Sequence, residues 1–326
     1  MNGKSKLDGF PVIITDDDLI TMTVSSRREL TPSIVEFVLK PEEGGSLPEY
    51  GPGAHITVET PSGAMRRYSL VGGEANTYTI AVKREPESRG GSQSMHDEVA
   101  EGNKLRVAPP ENEFSLGPAP DYLLIAGGIG VTPIYAMAKR LKEQDKPFRI
   151  IYVSRSPQDA AYLAEMRDAF GDRMIVHHDE GDLERIYDFW DHFETPQPTH
   201  VYCCGPKPLM EEIKAISGHW PEGRVHFEDF KPVDIVRPDD VAFDVELAKS
   251  GKTVHVPADR SILEAVRDAG VRTVSSCESG TCGSCKTRLL AGDVDHRDMV
   301  LMDEEKDNTI MICVSRAKSG NLVVDL

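Results

Sequence analysis

Three cysteines fall within nine residues of this chain, in CESGTCGSC, and a fourth follows in MICVSR. Cys277, Cys282, Cys285 and Cys313 together have the spacing C-x4-C-x2-C-x27-C. Three thiolates on one tight loop and a fourth from a distant segment form the plant-type pattern for a 2Fe–2S cluster. Gly280 and Gly283 let such a loop curl without a Cβ in the way. The small residues Ser279, Thr281 and Ser284 leave backbone amides free to face sulfur. Zinc is the alternative, but zinc sites usually pair two short C-x2-4-C knuckles, and the second knuckle is missing here. A 2Fe–2S centre takes one electron at a time, so this segment reads as an electron carrier.

The rest of the chain must feed it. With 326 residues there is room for two or three domains. A net charge of −17 argues against nucleic acid, which calls for a basic stripe. No apolar run reaches the length of a membrane span, and MNGKSKLDGF lacks the apolar core of a signal peptide. A cytoplasmic protein is expected, in which clustered thiols hold metal instead of pairing as disulfides. Nothing in the sequence demands an oligomer, so a monomer is expected.

Three textures follow one another along the chain. From 20 to 115, short alternating runs such as SIVEFVLK, AHITVET and YTIAVKR predict an antiparallel β-barrel, interrupted by a short helix over Ser92 to Val99. From 116 to 230, apolar strands alternate with amphipathic helices, the pattern of an α/β doubly wound parallel sheet. Residues 231–240, KPVDIVRPDD, read as a linker. From 241 to 326, a hairpin turning at Ser250-Gly251 and a helix capped by Ser261 and stopped by Gly270 lead into the cysteine loop, an α+β domain. The fold class is therefore multidomain.

The middle segment carries a nucleotide signal. AGGIGVTP follows a strand and opens a helix, so Gly127, Gly128 and Gly130 lie where a pyrophosphate meets a helix N-terminus, with Thr132 and Pro133 in the first turn. YCCGP ends another strand, which puts Cys204, Gly205 and Pro206 at the same carboxyl edge, where open α/β sheets bind ligands. Cys204 is a candidate nicotinamide neighbour, or a small buried apolar residue. Ser154 and Arg155 end the next strand in place of an acid that would select NAD. On that physics alone the arginine favours a 2′-phosphate, and so NADP.

Hydride brings two electrons and the cluster accepts one, which calls for a flavin between them. MRRYSL offers Arg66 and Arg67 for phosphate, Tyr68 for the ring or ribityl chain and Ser69 for a ring atom. Gly90, Gly91 and Ser92 open the short helix as a second anion site. RxYSL, then GGS, GGIGVTP and YCCGP, resembles the ferredoxin–NADP reductase superfamily, here with a plant-type ferredoxin at the C-terminal end.

The resemblance implies an antiparallel flavin barrel, a nucleotide domain and a β-grasp ferredoxin domain. It implies FMN, a 2Fe–2S cluster and NADH as cofactors, the relatives with this Ser-Arg ending overriding the lean towards NADP. It also implies a Rieske non-haem iron oxygenase component as the protein partner. By residue, it implies flavin contacts from Arg66, Tyr68, Ser69, Ala81, Val82, Lys83, Gly91, Ser92 and Thr132, with Phe230 against the ring. Ser69, Thr132, Cys204 and Phe230 would position the reacting rings. Asp293, Asp295 and Asp298 are candidates for docking a basic acceptor. His296 reads as structural, and His177 and His178, adjacent on a strand, face opposite ways. Two rival readings are a reductase for a different acceptor and a zinc-binding or redox-sensing protein.

Overall fold

The computed structural model describes residues 19–42, 45–73, 76–86, 90–230, 237, 239–273, 275, 278, 280 and 283–326. Two compact units divide them, one running from Leu19 to Phe230 and one containing the chain from Lys231 onward.

The first unit begins with six antiparallel strands: β1 (Ile20–Thr31), β2 (Ile34–Pro41), β3 (His55–Glu59), β4 (Met65–Gly72), β5 (Tyr78–Lys83) and β6 (Lys104–Val107). They close into a barrel in the order β1-β2-β5-β4-β3-β6. The two-residue alternation of Met22 and Val24, Phe37 and Leu39, and Ile56 and Val58 sends each of those side chains into the barrel core. Closure leaves no unpaired edge. Helix α1 (Gly91–Glu98) starts one residue before the expected Ser92, because Gly90 takes the cap position at φ 92°, a left-handed conformation that glycine adopts without strain.

The chain continues through β7 (Asp121–Gly127), α2 (Val131–Glu143), β8 (Phe148–Ser154), α3 (Leu163–Phe170), β9 (Met174–His178), α4 (Trp190–Phe193), β10 (Thr199–Cys204), α5 (Lys207–Ile216) and β11 (Val225–Glu228). Its five strands pair in parallel in the order β11-β10-β7-β8-β9. Successive residues of β7 serve opposite faces. Leu124 and Ala126 pack with α2 and α3, while Leu123 and Ile125 pack with Phe193 and α5. The strand order reverses on either side of β7, and the carboxyl end of such a switch point is where open α/β sheets bind ligands. Barrel and sheet share a core, since Ile34, Val71, Ala81 and Phe114 join Val131, Ile134 and Met137. A polar strap adds to it. Arg28 pairs with Glu36 at 3.0 Å and Glu165 at 2.8 Å, and Tyr162 donates to Glu36 at 2.8 Å.

The second unit holds β12 (Phe243–Leu247), β13 (Lys252–Val256), α6 (Ile262–Asp268), β14 (Lys286–Asp295), α7 (Asp303–Lys306), β15 (Thr309–Met311) and β16 (Arg316–Val324). The sheet order is β13-β12-β16-β14-β15, with β12 and β16 parallel and the other pairs antiparallel. Helix α6 crosses it, burying Ile262, Leu263 and Val266 with Val245, Val256 and Ile310. Ser261 caps α6 as expected. Its Oγ accepts from Glu264 N at 3.2 Å while Glu264 accepts from Ser261 N at 2.9 Å, a capping box that stabilises the helix by about 1 kcal/mol. Most of the linker expected over 231–240 lies outside the described residues. Its far end is anchored, because Asp240 accepts from Arg297 Nη1 at 2.8 Å and the two side chains are only 6% and 4% exposed.

Candidate functional site

The MRRYSL and GGS segments meet in space. A Cβ on Gly91 would come within 2.9 Å of Arg66 Nε, so the Arg66 side chain lies across the first residue of α1. Strand alternation then separates the neighbours of Arg66. Arg67 sits among carboxylates, 2.9 Å from Glu113 and 3.7 Å from Glu111, and so does not join Arg66 as a second phosphate partner. Tyr68 Oη is buried without a hydrogen-bond partner among the described residues, and Ser69 Oγ, also buried, faces the Glu228 carboxyl. A protein interior rarely leaves a hydroxyl like that of Tyr68 unsatisfied without a ligand to meet it. Among the other expected flavin contacts, Lys83 is paired with Glu85 at 2.9 Å and Ser92 Oγ accepts from Glu85 N at 3.1 Å. The Ala81 side chain is buried in the core shared with α2, and that of Val82 in the barrel.

The nucleotide loops converge more tightly. A Cβ on Gly130 would stand 2.2 Å from the Cys204 carbonyl oxygen, and one on Gly127 2.7 Å from Pro206 Cδ. Backbone therefore runs against backbone where AGGIG passes YCCGP, and only glycine fits. Thr132 is buried and donates to Ile129 O at 3.0 Å, closing the first turn of α2. Burial raises both neighbouring thiols, Cys203 to about 12 and Cys204 well above its usual range. Cys204 is thus a neutral thiol packed in the core at the end of β10 and no nucleophile. Ser154 Oγ is taken up by Ser156 O at 3.1 Å and His178 Nδ1 at 2.9 Å, whereas Arg155 is exposed. His177 bonds Arg185 O at 2.6 Å, so the two histidines do part company. Phe230, two residues beyond β11, is 40% exposed.

Sequence reasoning missed Glu228. It ends β11 opposite Cys204, and although part of the residue reaches solvent, its Oε2 is wholly buried. Burial, with Glu113 adding like charge, pushes its carboxyl up to about 8, while Arg67 and Ser69 draw it down. At neutral pH it carries its proton, at the junction of barrel and sheet.

In the second unit, Cys285 and Cys313 are buried at 3% and 1% exposure. Cys277 and Cys282 lie outside the described residues. Gly280 and Gly283 are left-handed, at φ 74° and 78°. A Cβ on Gly280 would stand 2.8 Å from Val314 Cγ2, beside Cys313. Gly280 therefore lies against the segment that carries the fourth cysteine, and the two expected ligands among the described residues, Cys285 and Cys313, are both buried, as a 2Fe–2S site requires. Two of the expected docking acids have internal duties. Asp298 accepts from Leu301 N at 2.8 Å and Asp295 from Arg297 Nε at 2.8 Å. His296 bonds Lys306 O at 3.1 Å.

Comparison with known proteins agrees with this geometry. Residues 124–215 match the oxidoreductase NAD-binding domain and residues 245–318 the 2Fe-2S iron-sulfur cluster binding domain. Barrel, nucleotide sheet and cluster domain define a modular flavin and iron–sulfur oxidoreductase, with FMN, NADH and a 2Fe–2S centre as its cofactors. The chain belongs to the phthalate dioxygenase reductase family. It is 46% identical to the phthalate dioxygenase reductase of Burkholderia cepacia over 95% of this chain and 98% of that one. It is equally similar to the phthalate 4,5-dioxygenase oxygenase reductase subunit of Pseudomonas putida, again at 46%. A solved phthalate dioxygenase reductase, described as a modular structure for electron transfer from pyridine nucleotides to [2Fe-2S], superposes with TM-score 0.84 at 45% identity, covering 95% of this chain and 99% of that one. Among the described residues no helix is long and apolar enough to cross a membrane.

Proposed function

We propose that this chain is the reductase component of a Rieske-type aromatic-ring oxygenase system, acting as a cytoplasmic monomer. In this reading residues 20–115 hold FMN, 116–230 bind NADH and 241–326 carry the cluster. The observation that carries it is the meeting of barrel and sheet at Glu228, which pairs with Cys204 at the carboxyl edge of the sheet and interacts with Ser69 of the barrel. A bound FMN would supply the conversion between the two-electron chemistry of NADH and the one-electron chemistry of the cluster.

The chain's own residues hold and orient. Arg66 and the start of α1 present positive potential to a phosphate. Ser69 Oγ and Tyr68 Oη offer buried polar atoms to the flavin. The Gly127–Gly130 loop admits a pyrophosphate at α2, and Thr132 and Cys204 back that site against water. Glu228 holds a proton at a carboxyl oxygen near Ser69. Phe230 covers the approach to the site and yields to the nicotinamide. Most of the acceleration then comes from orientation. Cys277, Cys282, Cys285 and Cys313 hold the cluster.

Anaerobic titration of the purified protein with NADH and then NADPH, followed by visible absorption, tests the relay. Bleaching of flavin and iron–sulfur bands by NADH at far lower concentration than NADPH is the expected result. A colourless protein, or a cluster that stays oxidised while the flavin bleaches, would refute the relay and return the zinc-binding or sensing alternative.

A further inference from the structure

Glu278 is the only charged residue between Cys277 and Cys285, and it points inward at 3% exposure. Its backbone is left-handed at φ 51°, a conformation that costs a residue with a Cβ about 1–3 kcal/mol. Glycine would relieve that strain, so the carboxylate must contribute something a glycine does not. Glu278 Oε1 accepts from Arg267 Nη1 and from Ser275 Oγ, the latter at 2.9 Å, and Arg267 Nη2 donates to Ser275 Oγ. Arg267 lies in the last turn of α6, whose other end is fixed by the Ser261 capping box. Shielding an ion pair from water is a poor way to gain stability, since desolvation offsets most of the attraction. What the pair provides is a fixed position: the ligand loop is tied to a rigid helix by charge-assisted hydrogen bonds.

The signs of the charges matter as well. A 2Fe–2S site bound by four thiolates is anionic, and its potential responds to net charge and to hydrogen bonds around it. A lone carboxylate next to Cys277 would oppose the incoming electron, and a lone guanidinium would favour it. We propose that Arg267, Glu278 and Ser275 form a charge-neutral anchor, which positions the cluster loop without biasing the cluster's affinity for an electron. Glu278 and Arg267 are thus positioning residues that act through the loop. The proposal rests on the assignment of residues 245–318 as a 2Fe–2S domain.

Two substitutions in the full-length holoprotein separate charge from geometry. E278Q keeps an acceptor oxygen for Arg267 and Ser275 but removes the negative charge. R267K keeps the positive charge but cannot span both partners. The readouts are the reduced-to-oxidised ratio of the cluster at equilibrium with a redox dye, by absorption and electron paramagnetic resonance, and the rate of iron loss to a chelator. E278Q should raise the ratio about tenfold, equivalent to about 59 mV for a one-electron couple. R267K should leave the ratio unchanged and speed iron loss. An unchanged ratio in E278Q, or an equal shift in R267K, would overturn the proposal. If E278Q does not hold a cluster, the exchanged pair R267E/E278R decides: a retained cluster with a ratio near that of the parent supports the anchor, and a lost cluster overturns it. A parent protein without iron and labile sulfide would refute the domain assignment instead.

Discussion

Replacing Glu228 with glutamine should uncouple the stability of the nucleotide sheet from pH between 6 and 8. The Glu228 carboxyl titrates near 8 in the folded protein against an ordinary value of 4.5. Between those two values the folded chain binds a proton that the unfolded chain releases. Stability contributed by the protonated form is therefore complete below 4.5, falls as pH rises, and is lost above 8. One excess bound proton changes stability by about 1.36 kcal/mol for each pH step of one, so the interval from pH 6 to 8 gives a loss of about 2 kcal/mol. Glutamine occupies the same volume and does not titrate, so E228Q should not show this loss. Trp190 and Trp220 are the chain's only tryptophans, and both lie in the nucleotide half. Their fluorescence during urea unfolding therefore reports on the right element. The expected result is a parent curve that drops by about 2 kcal/mol relative to E228Q from pH 6 to 8. Parallel curves would show that Glu228 is ionised at neutral pH, and the proton assigned to it would have to be withdrawn.

Other consequences can be checked as directly. Gly130→Ala places a Cβ 2.2 Å from the Cys204 carbonyl, and backbone cannot give way as a side chain can. Overpacking of about 1–3 kcal/mol should appear as a rise of about fivefold to a hundredfold in the KM for NADH, with cluster absorption intact. Asp240→Asn removes the buried carboxylate between Arg297 and Arg316, leaving Arg297 with Asp295, and should cost the cluster domain up to about 3 kcal/mol in chemical unfolding. Because Arg297 holds the Asp240 carboxyl down at about 2, against an ordinary 3.8, this contribution is present above 3.8 and lost as pH falls towards 2. Met299 and Met302, 73% and 68% exposed beside a helix carrying Asp303 and Glu304, are better placed to meet an acceptor than the internally bonded Asp295 and Asp298. Changing both to glutamine should leave reduction by NADH unchanged and slow turnover with a purified Rieske-type oxygenase component.

Periodicity and spacing carried most of the architecture. Alternation in SIVEFVLK and AHITVET set the barrel faces, and unbroken runs such as YLLIA marked strands buried on both sides. The Ser261 cap was visible because its partner Glu264 stands three residues on. Side-chain partners were less legible, since they depend on contacts far apart in sequence. Arg67 looked like a phosphate ligand beside Arg66, yet adjacent residues on a strand face opposite ways, and Glu113 lay forty-six positions downstream. Asp295 and Asp298 looked like a docking surface until folding gave them arginine and backbone amides to hold. Glu228 escaped notice for the same reason: its raised proton affinity comes from burial by the barrel and from Glu113, neither of which VHFEDF reveals.

The position of β16 bears on how the protein is made. This strand pairs with both β12 and β14 at the middle of its sheet, yet it is the last of the five to be translated. The barrel and the nucleotide sheet have all their strands by Glu228 and can assemble while synthesis continues. The cluster domain cannot close its core until Leu322 and Val324 have left the ribosome. Iron and sulfide therefore have to be delivered after translation has passed the last cysteine, to a chain whose flavin half is already folded. A premature stop within β16 would release a protein able to take up hydride but lacking a completed domain to pass its electrons on.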